Sequence, residues 1–234
     1  MRRAKLFAGA LLWCLFAALL PAASGGAEPP PGDLLKSGQL LIASSHMSDP
    51  RISGAVMLIV RHNTHGSIGV IVNRRLGDGA LSAIVEGYKL RAPSTDTRIV
   101  VHDGGPVGND RGLVLHSGDY TIKGTIRAGR YSLTSNPRLF ADKASGAGPS
   151  RMIYLLGYVG WGPRELDDAI ARCDWLPAEA RDDLVFAEDP TGAWRLASAR
   201  GAADLARPAC AAKRALPLRP AWRRSRCGEW PACG

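Results

Sequence analysis

The sequence predicts an α+β domain. Short aliphatic or β-branched runs bounded by turn residues recur from Gln39 onward, most are joined closely enough to be hairpins, and three or so helical segments interrupt them. Gln39 to Ala43, Ala55 to Val60 and Ile68 to Val72 read as strands, the last two joined across His62-Asn63-Thr64-His65-Gly66. Ala80 to Tyr88 sets Leu81, Ile84, Val85 and Tyr88 on one side of a short amphipathic helix. Ile99 to His102 and Leu113 to His116 are strands separated by Asp103-Gly104-Gly105-Pro106. Tyr120 to Ile126 and Tyr131 to Thr134 read as a further hairpin. Pro137 opens a short helix with Asn136 or Ser135 as its N-cap. Met152 to Tyr158 is continuously apolar, as a strand buried on both faces would be.

Pro163 then takes the first position of a helix whose early turns carry Glu165, Asp167 and Asp168, negative charge that complements the helix dipole. Leu166 and Ile170 share one face of it, and Trp175-Leu176 extends that apolar surface past its end. Residues 184–186 (LVF) read as a last short strand.

The chain has 234 residues and a formal charge of +9, and the charge is unevenly placed. Residues 1–24 carry +3 from Arg2, Arg3 and Lys5, residues 200–234 carry +6, and residues 25–199 balance 19 basic against 19 acidic side chains. A neutral body offers no bulk attraction to a polyanion, which argues against a nucleic-acid partner. Arg2, Arg3 and Lys5, the uncharged apolar run Leu6 to Leu20 and the small residues Pro21-Ala22-Ala23-Ser24 have the order of a secretory signal. Cleavage after Ser24 places the protein in the periplasm or outside the cell; left uncleaved, residues 6–20 anchor it in the inner membrane. Residues 25–37 form a Pro/Gly linker, residues 38–199 the domain, and residues 200–234 a disordered basic tail without periodicity. Contact with a membrane is expected only through the signal segment or that tail. Cys210, Cys227 and Cys233 fall in the tail, so they and Cys173 do not define a disulfide framework.

Four segments carry a resemblance: Leu40-Leu41-Ile42-Ala43 followed by Asp49-Pro50; VMLIVRHNTHGSIGVIVNRRLG from Val56 to Gly77; VHDGGPVGNDRGLVLHS from Val101 to Ser117; and Leu156-Gly157-Tyr158 with Gly160-Trp161-Gly162, Trp175-Leu176 and Trp194. In order and spacing, over about residues 38–197, the chain resembles the YqgE/AlgH family of bacterial proteins. The resemblance implies a bifurcated, mostly antiparallel sheet coiled into a pseudo-barrel, with about three packed helices. It implies no defined activity; some members carry a transcriptional-regulator label, and members are generally cytoplasmic. This chain departs from the pattern with Arg75 where Pro is usual, Glu165 for Gln and Cys173 for Asn. The family's closing helix continues past the final Trp, where this chain turns into its basic tail.

Candidate contacts for a ligand or partner are Asn73, Arg74, Gly104, Gly105, Arg111 and His116. Asn73-Arg74-Arg75 ends a strand with one amide and two guanidiniums, a combination suited to gripping a carboxylate or phosphate. Gly104-Gly105-Pro106 could form an anion nest with Asn109 and Arg111 nearby, but Pro106 removes one N–H and the segment leads into a strand, so a turn that lets two strands meet closely suits it better. His62 and His65 flank a turn without a Cys or carboxylate spaced to complete a zinc site, so capping or sheet-edge bonding suits them better. Ser44, Ser45 and Ser117 lie outside any G-x-S-x-G elbow. Cys173 stands near a helix C-terminus, which disfavours a thiolate. No catalytic residue, metal site or cofactor is expected. The reading is a non-enzymatic binding or regulatory module of the cell envelope, with an unknown protein or a small anionic ligand as its partner. The alternatives are an enzyme with a polar pocket around Asn73, Arg111 and His116, and a transcriptional regulator.

Overall fold

The computed structural model of the chain describes residues 35–89 and 97–204. The expected signal, nearly all of the linker and the tail beyond Asp204 lie outside those residues. Among the described residues no helix is long and apolar enough to cross a membrane.

The fold is α+β: among the described residues a curled ten-stranded sheet forms a half-barrel with five helices against it. In chain order the elements are β1 (Leu40–Ala43), β2 (Val56–Asn63), β3 (Gly66–Ile71), β4 (Arg75–Ala80), α1 (Leu81–Gly87), β5 (Arg98–Asp103), β6 (Val107–Ser117), β7 (Ile126–Ala128), β8 (Tyr131–Thr134), α2 (Arg138–Ala144), β9 (Met152–Trp161), α3 (Glu165–Ala171), β10 (Trp175–Ala178), α4 (Asp182–Val185) and α5 (Pro190–Asp204). The main path runs β10-β1-β2-β3-β9-β6-β8-β7, with β4 and β5 branching from it.

The branch point is β9. One edge of it pairs with β6 in antiparallel register, Leu113 opposite Leu155. Its other edge is shared: Val159 to Trp161 pair antiparallel with β3, while Tyr154 to Leu156 pair parallel with β5. The sheet therefore forks along that edge, and Gly104 fills the fork. Its N–H donates to the Leu156 carbonyl at 2.8 Å and its own carbonyl accepts from Ile71 N–H at 2.9 Å. No side chain fits there: a Cβ on Gly104 would run into the Gly157 carbonyl, and one on Gly157, which also sits at φ +78°, into the Gly105 carbonyl.

Each face of the sheet is covered by what the sequence can bury. Inside the curl, Leu40, Leu58, Val70, Leu115, Leu133 and Leu155 pack with Leu184 and Val185 of α4 and Ala197 of α5. On the outer side of the first limb, α3 lays Leu166, Ala169 and Ile170 against Met57, Ile59, Val159 and Trp161. On the outer side of the second limb, Leu81 and Val85 of α1 and Leu139 and Phe140 of α2 cover Ile99 and Val114. Full burial of one such aliphatic side chain stabilises by about 1.5–3 kcal/mol, so these clusters account for the fold's main favourable term. Trp194 of α5 is tied to the sheet by Nε1–H donating to the Ala43 carbonyl at 2.9 Å.

Several elements differ from the sequence expectation. Leu184 and Val185 belong to helix α4 and Phe186 ends it, so the run is not a strand: Asp182 and Asp183 fill the first turn, and Leu184 and Val185 both face the barrel interior. The hairpin expected from Tyr120 narrows to Ile126–Thr134, because Tyr120 to Thr125 turn away and Tyr120 Oη bonds Asp142 of α2. β9 alternates buried and half-buried residues; Tyr154 packs against the cluster under α1 and α2, and Tyr158 against the one inside the curl. Pro163 precedes α3 by two residues, and Glu165 is the first helical one, its Oε2 reaching back to Gly162 N–H at 2.9 Å. β4 and β10 are strands where none was expected, and there are five helices rather than about three. The last of them continues through Arg200 to Asp204.

Candidate functional site

Asn73 and Arg74 stand just before β4, and both are turned into the protein's own backbone. Asn73 Oδ1 accepts from Val56 N–H at 2.7 Å and its Nδ2 donates to the Gly54 carbonyl at 2.9 Å. Arg74 donates to the carbonyls of Arg51 and Ser53 and lies 3.8 Å from Asp103. Together they fasten the loop between β1 and β2. Gly104 and Gly105 occupy the fork, where close strand approach explains them. His116 is buried on β6; its Nδ1–H donates to the Ser117 carbonyl at 2.8 Å and its ring meets Tyr120 edge-on at 5.6 Å. Arg111 lies on β6. Asn73, Arg74, Gly104, Gly105 and His116 do not line the cleft described below.

The histidine and serine candidates are placed differently. His62 Nδ1 is 2.7 Å from Ser67 Oγ across the β2–β3 hairpin, and His62 Nε2 is 3.3 Å from Asp167 of α3. His65 N–H donates to Asn63 Oδ1 within the turn. Ser117 Oγ donates to Asp119 at 2.6 Å and meets Ser150 Oγ at 3.0 Å. Hydrogen bonds from Ser117 and then Ser150 hold the Asp119 carboxyl down at about 2. Among the described residues no three His, Cys, Asp or Glu side chains are grouped to hold a metal ion.

The residue run Asn73-Arg74-Arg75 does lead to a site, through its third member. Arg75, Arg98, Lys143 and Arg151 line a cleft of about 320 Å³, with Glu188 as the one carboxylate among the described residues of its wall. β4 and β5 supply the first two cations, α2 the third and the residue just before β9 the fourth, and the connection between α4 and α5 adds Phe186, Ala187 and Glu188 to the wall. Arg75 forks onto Asp78, with contacts of 2.6 and 2.7 Å, and that cation lowers the Asp78 carboxyl. Arg98 donates to the Asp78 carbonyl at 3.1 Å and Lys143 to the Pro149 carbonyl at 2.8 Å. Among the described residues neither Arg98 nor Lys143 has a carboxylate within salt-bridge distance. Arg151 stacks over the Phe186 ring at 5.1 Å and reaches Asp182 at 3.4 Å.

His102 joins the same wall from β5, directly across the strand pair from Arg75. It is 1% exposed, and neither ring nitrogen has a partner in hydrogen-bond geometry among the described residues. The Val72 backbone lies beside the ring without meeting that geometry. Burial lowers its pKa, the Val72 backbone pulls the other way by less, and the Arg75 cation lowers it slightly further. The ring is therefore neutral near pH 7, with one nitrogen an acceptor and the other a donor. Val100, Ile153 and Phe186 make the apolar part of the lining. Sequence reasoning missed this cleft because its cations sit at positions 75, 98, 143 and 151, a spacing that no motif marks.

A family model described as AlgH-like matches residues 40–206. A UPF0301 protein of Cereibacter sphaeroides is 39% identical over 160 residues, covering 68% of this chain and 87% of that relative. A UPF0301 protein of Methylococcus capsulatus is 40% identical over 169 residues, covering 71% of this chain and 92% of its own length. The solution structure of the AlgH protein from Pseudomonas aeruginosa superposes with a TM-score of 0.60 at 31% identity, covering 70% of this chain and 87% of that one. A crystal structure of a Corynebacterium diphtheriae protein matches with a TM-score of 0.56 at 20% identity, covering 76% and 91%, which is a likeness of fold alone.

Proposed function

The chain belongs to the AlgH-like family, and from that premise we propose that it is a binding module of the cell envelope that recognises a small anion in the basic cleft. The observation that carries this is the composition of the wall among the described residues: four cationic side chains line a single cavity, and two of them, Arg98 and Lys143, have no carboxylate partner. The positive charge has no bulk origin, since residues 25–199 are neutral as a whole. It is concentrated where a low-dielectric wall makes each charge count for more than on open surface. Binding shifts the protein's stability by mass action, adding about 2.7 kcal/mol at a hundredfold excess over Kd. The test is a melting series of the full chain at constant ionic strength with phosphate, sulfate, citrate and acetate. The expected result is a Tm that rises and saturates with at least one of them; a flat response to all four would sink the reading.

The envelope part rests on residues 1–24 and is tested separately. N-terminal sequencing after fractionation is expected to find a periplasmic protein beginning between Gly25 and Glu28. A cytoplasmic protein that begins at Met1 would overturn it. The enzyme and transcription-regulator readings have less support: Asn73 is satisfied within its own loop, His116 lies elsewhere on β6, and the body is electrically neutral.

A further inference from the structure

We propose that the anion is a small phosphate monoester, its phosphoryl group seated between Arg98 and Lys143 and against His102, its organic part against Val100, Ile153 and Phe186. This inference rests on the anion-binding reading above and narrows it to one chemical class.

Three features select a phosphoryl group over a carboxylate. Arg98 and Lys143 each spend one donor on a backbone carbonyl and keep the rest, so the pair offers a guanidinium fork beside a point charge. Arg75 is already paired with Asp78 and Arg151 with Asp182, so Arg98 and Lys143 are the wall cations without a carboxylate partner among the described residues, and a dianion matches that pair better than a monoanion. His102 is the third feature. A buried imidazole without a hydrogen-bonded partner is costly, because each unsatisfied polar group loses its hydration without replacement. A phosphoryl oxygen accepts from the ring's N–H, and the neutral ring adds a donor without repelling the nearby guanidiniums. The charged groups that share the cleft with the ring are Arg75 from β4, Arg98 from β5, Lys143 from α2, Arg151 just before β9 and Glu188 from the α4–α5 connection, with Arg75 acting on the ring directly.

The apolar part of the wall selects an ester over free phosphate. Val100, Ile153 and Phe186 offer the hydrated phosphate ion nothing, but they shield an aromatic or aliphatic substituent from water. Arg151, stacked on Phe186, sits at the boundary between the charged and apolar portions.

Calorimetric titration of the full chain with phenyl phosphate, inorganic phosphate, benzoate and citrate tests this. Phenyl phosphate is expected to bind saturably and about tenfold more tightly than inorganic phosphate. Arg98→Gln and Lys143→Gln, both on the rim, are expected to weaken it at least tenfold, while Lys123→Gln, exposed and outside the cleft, leaves it unchanged. In a histidine ring spectrum the His102 signals are expected to move on addition of phenyl phosphate, and those of His116 to stay. Benzoate or citrate binding as tightly as phenyl phosphate would overturn the phosphoryl assignment while leaving an anion-binding module standing. Equal affinity for inorganic phosphate would overturn the ester, and unmoved His102 signals its contact with the ligand. Equal losses in the Lys123→Gln variant would overturn the cleft as the site. No saturable binding by any of the four would overturn both this inference and the function it rests on.

Discussion

His62 Nδ1 lies 2.7 Å from Ser67 Oγ, so the two strands of the β2–β3 hairpin are joined by side chains as well as by their ladder. On the other side of the ring Asp167 brings α3 to within 3.3 Å of Nε2, although Asp167 Oδ1 is not aligned for a hydrogen bond. A serine, a histidine and an aspartate in sequence invite a hydrolytic interpretation. Ser67 is buried beneath that contact, and the arrangement acts as a fastener between hairpin and helix. His62→Ala is expected to lower the unfolding free energy by about 1–3 kcal/mol in urea titration, the usual cost of a broken buried polar contact. Ser67 is expected to resist labelling by a fluorophosphonate; stoichiometric labelling would show instead that it is an accessible nucleophile.

Gly157→Ala tests the fork. The residue sits at φ +78°, and the added methyl overlaps the Gly105 carbonyl and crowds that of Val107. Backbone on both sides cannot yield as a side chain would. The substitution is expected to cost several kcal/mol, roughly 3 or more, or to prevent folding. Gly146→Ala is the control, with φ +83° but nothing within 4 Å of the new methyl, and it is expected to cost about 1–2 kcal/mol.

Cys173 occupies the left-handed position that ends α3, at φ +65°. Its N–H donates to the Ile170 carbonyl and the N–H of Asp174 to that of Ala169, both at 2.9 Å, the paired bonds of a Schellman cap. A position of this kind favours Gly or Asn over cysteine; the Cys173 sulfur is held in a disulfide, so this backbone preference is read with the disulfide reduced. Cys173→Asn and Cys173→Gly are each expected to stabilise the reduced protein by about 0.5–1 kcal/mol, read as a rise of a few degrees in Tm.

Burial lowers the pKa of both His102 and His116 in the folded protein. The unfolded chain, with histidine near 6.5, binds protons first as the pH falls. The stability contributed by the neutral rings is therefore complete above about pH 7 and declines as the pH drops through 6.5. The slope is at most about 1.4 kcal/mol per pH unit for each histidine. His102→Gln and His116→Gln are each expected to flatten the curve between pH 7 and 5. Asp119, lowered to about 2, titrates in a separate window below pH 4.

What the sequence disclosed follows from which forces are local. β2 and β3 are legible because their aliphatic runs belong to a strand wherever they pack, and α1 because Leu81 and Val85 repeat at helical spacing. β4, with two glycines and an aspartate in six residues, has no strand propensity of its own; pairing with β5 makes it a strand. LVF at 184–186 is too short for periodicity to separate helix from strand, and burial on one side decided for the helix. The same distinction governs the candidate site. Asn73-Arg74-Arg75 stood out as a polar strand end, yet which of the three faces a cavity depends on β5, α2 and β9, tens of residues away. The departure at Arg75 from the family's usual Pro was the one local hint of the cleft.

The shared edge of β9 also dictates when this domain is able to exist during synthesis. β3 and β5 both wait for a strand that ends at Trp161, and β1, the first strand made, waits for β10, which ends at Ala178. Until the ribosome has passed that point, β1 and β3 each lack one of the two strands they pair with in the finished sheet. Trp194 must then follow to bond Ala43. The nascent polypeptide therefore holds open, pairing-competent edges through most of its translation, a period in which a holding chaperone has the most to protect.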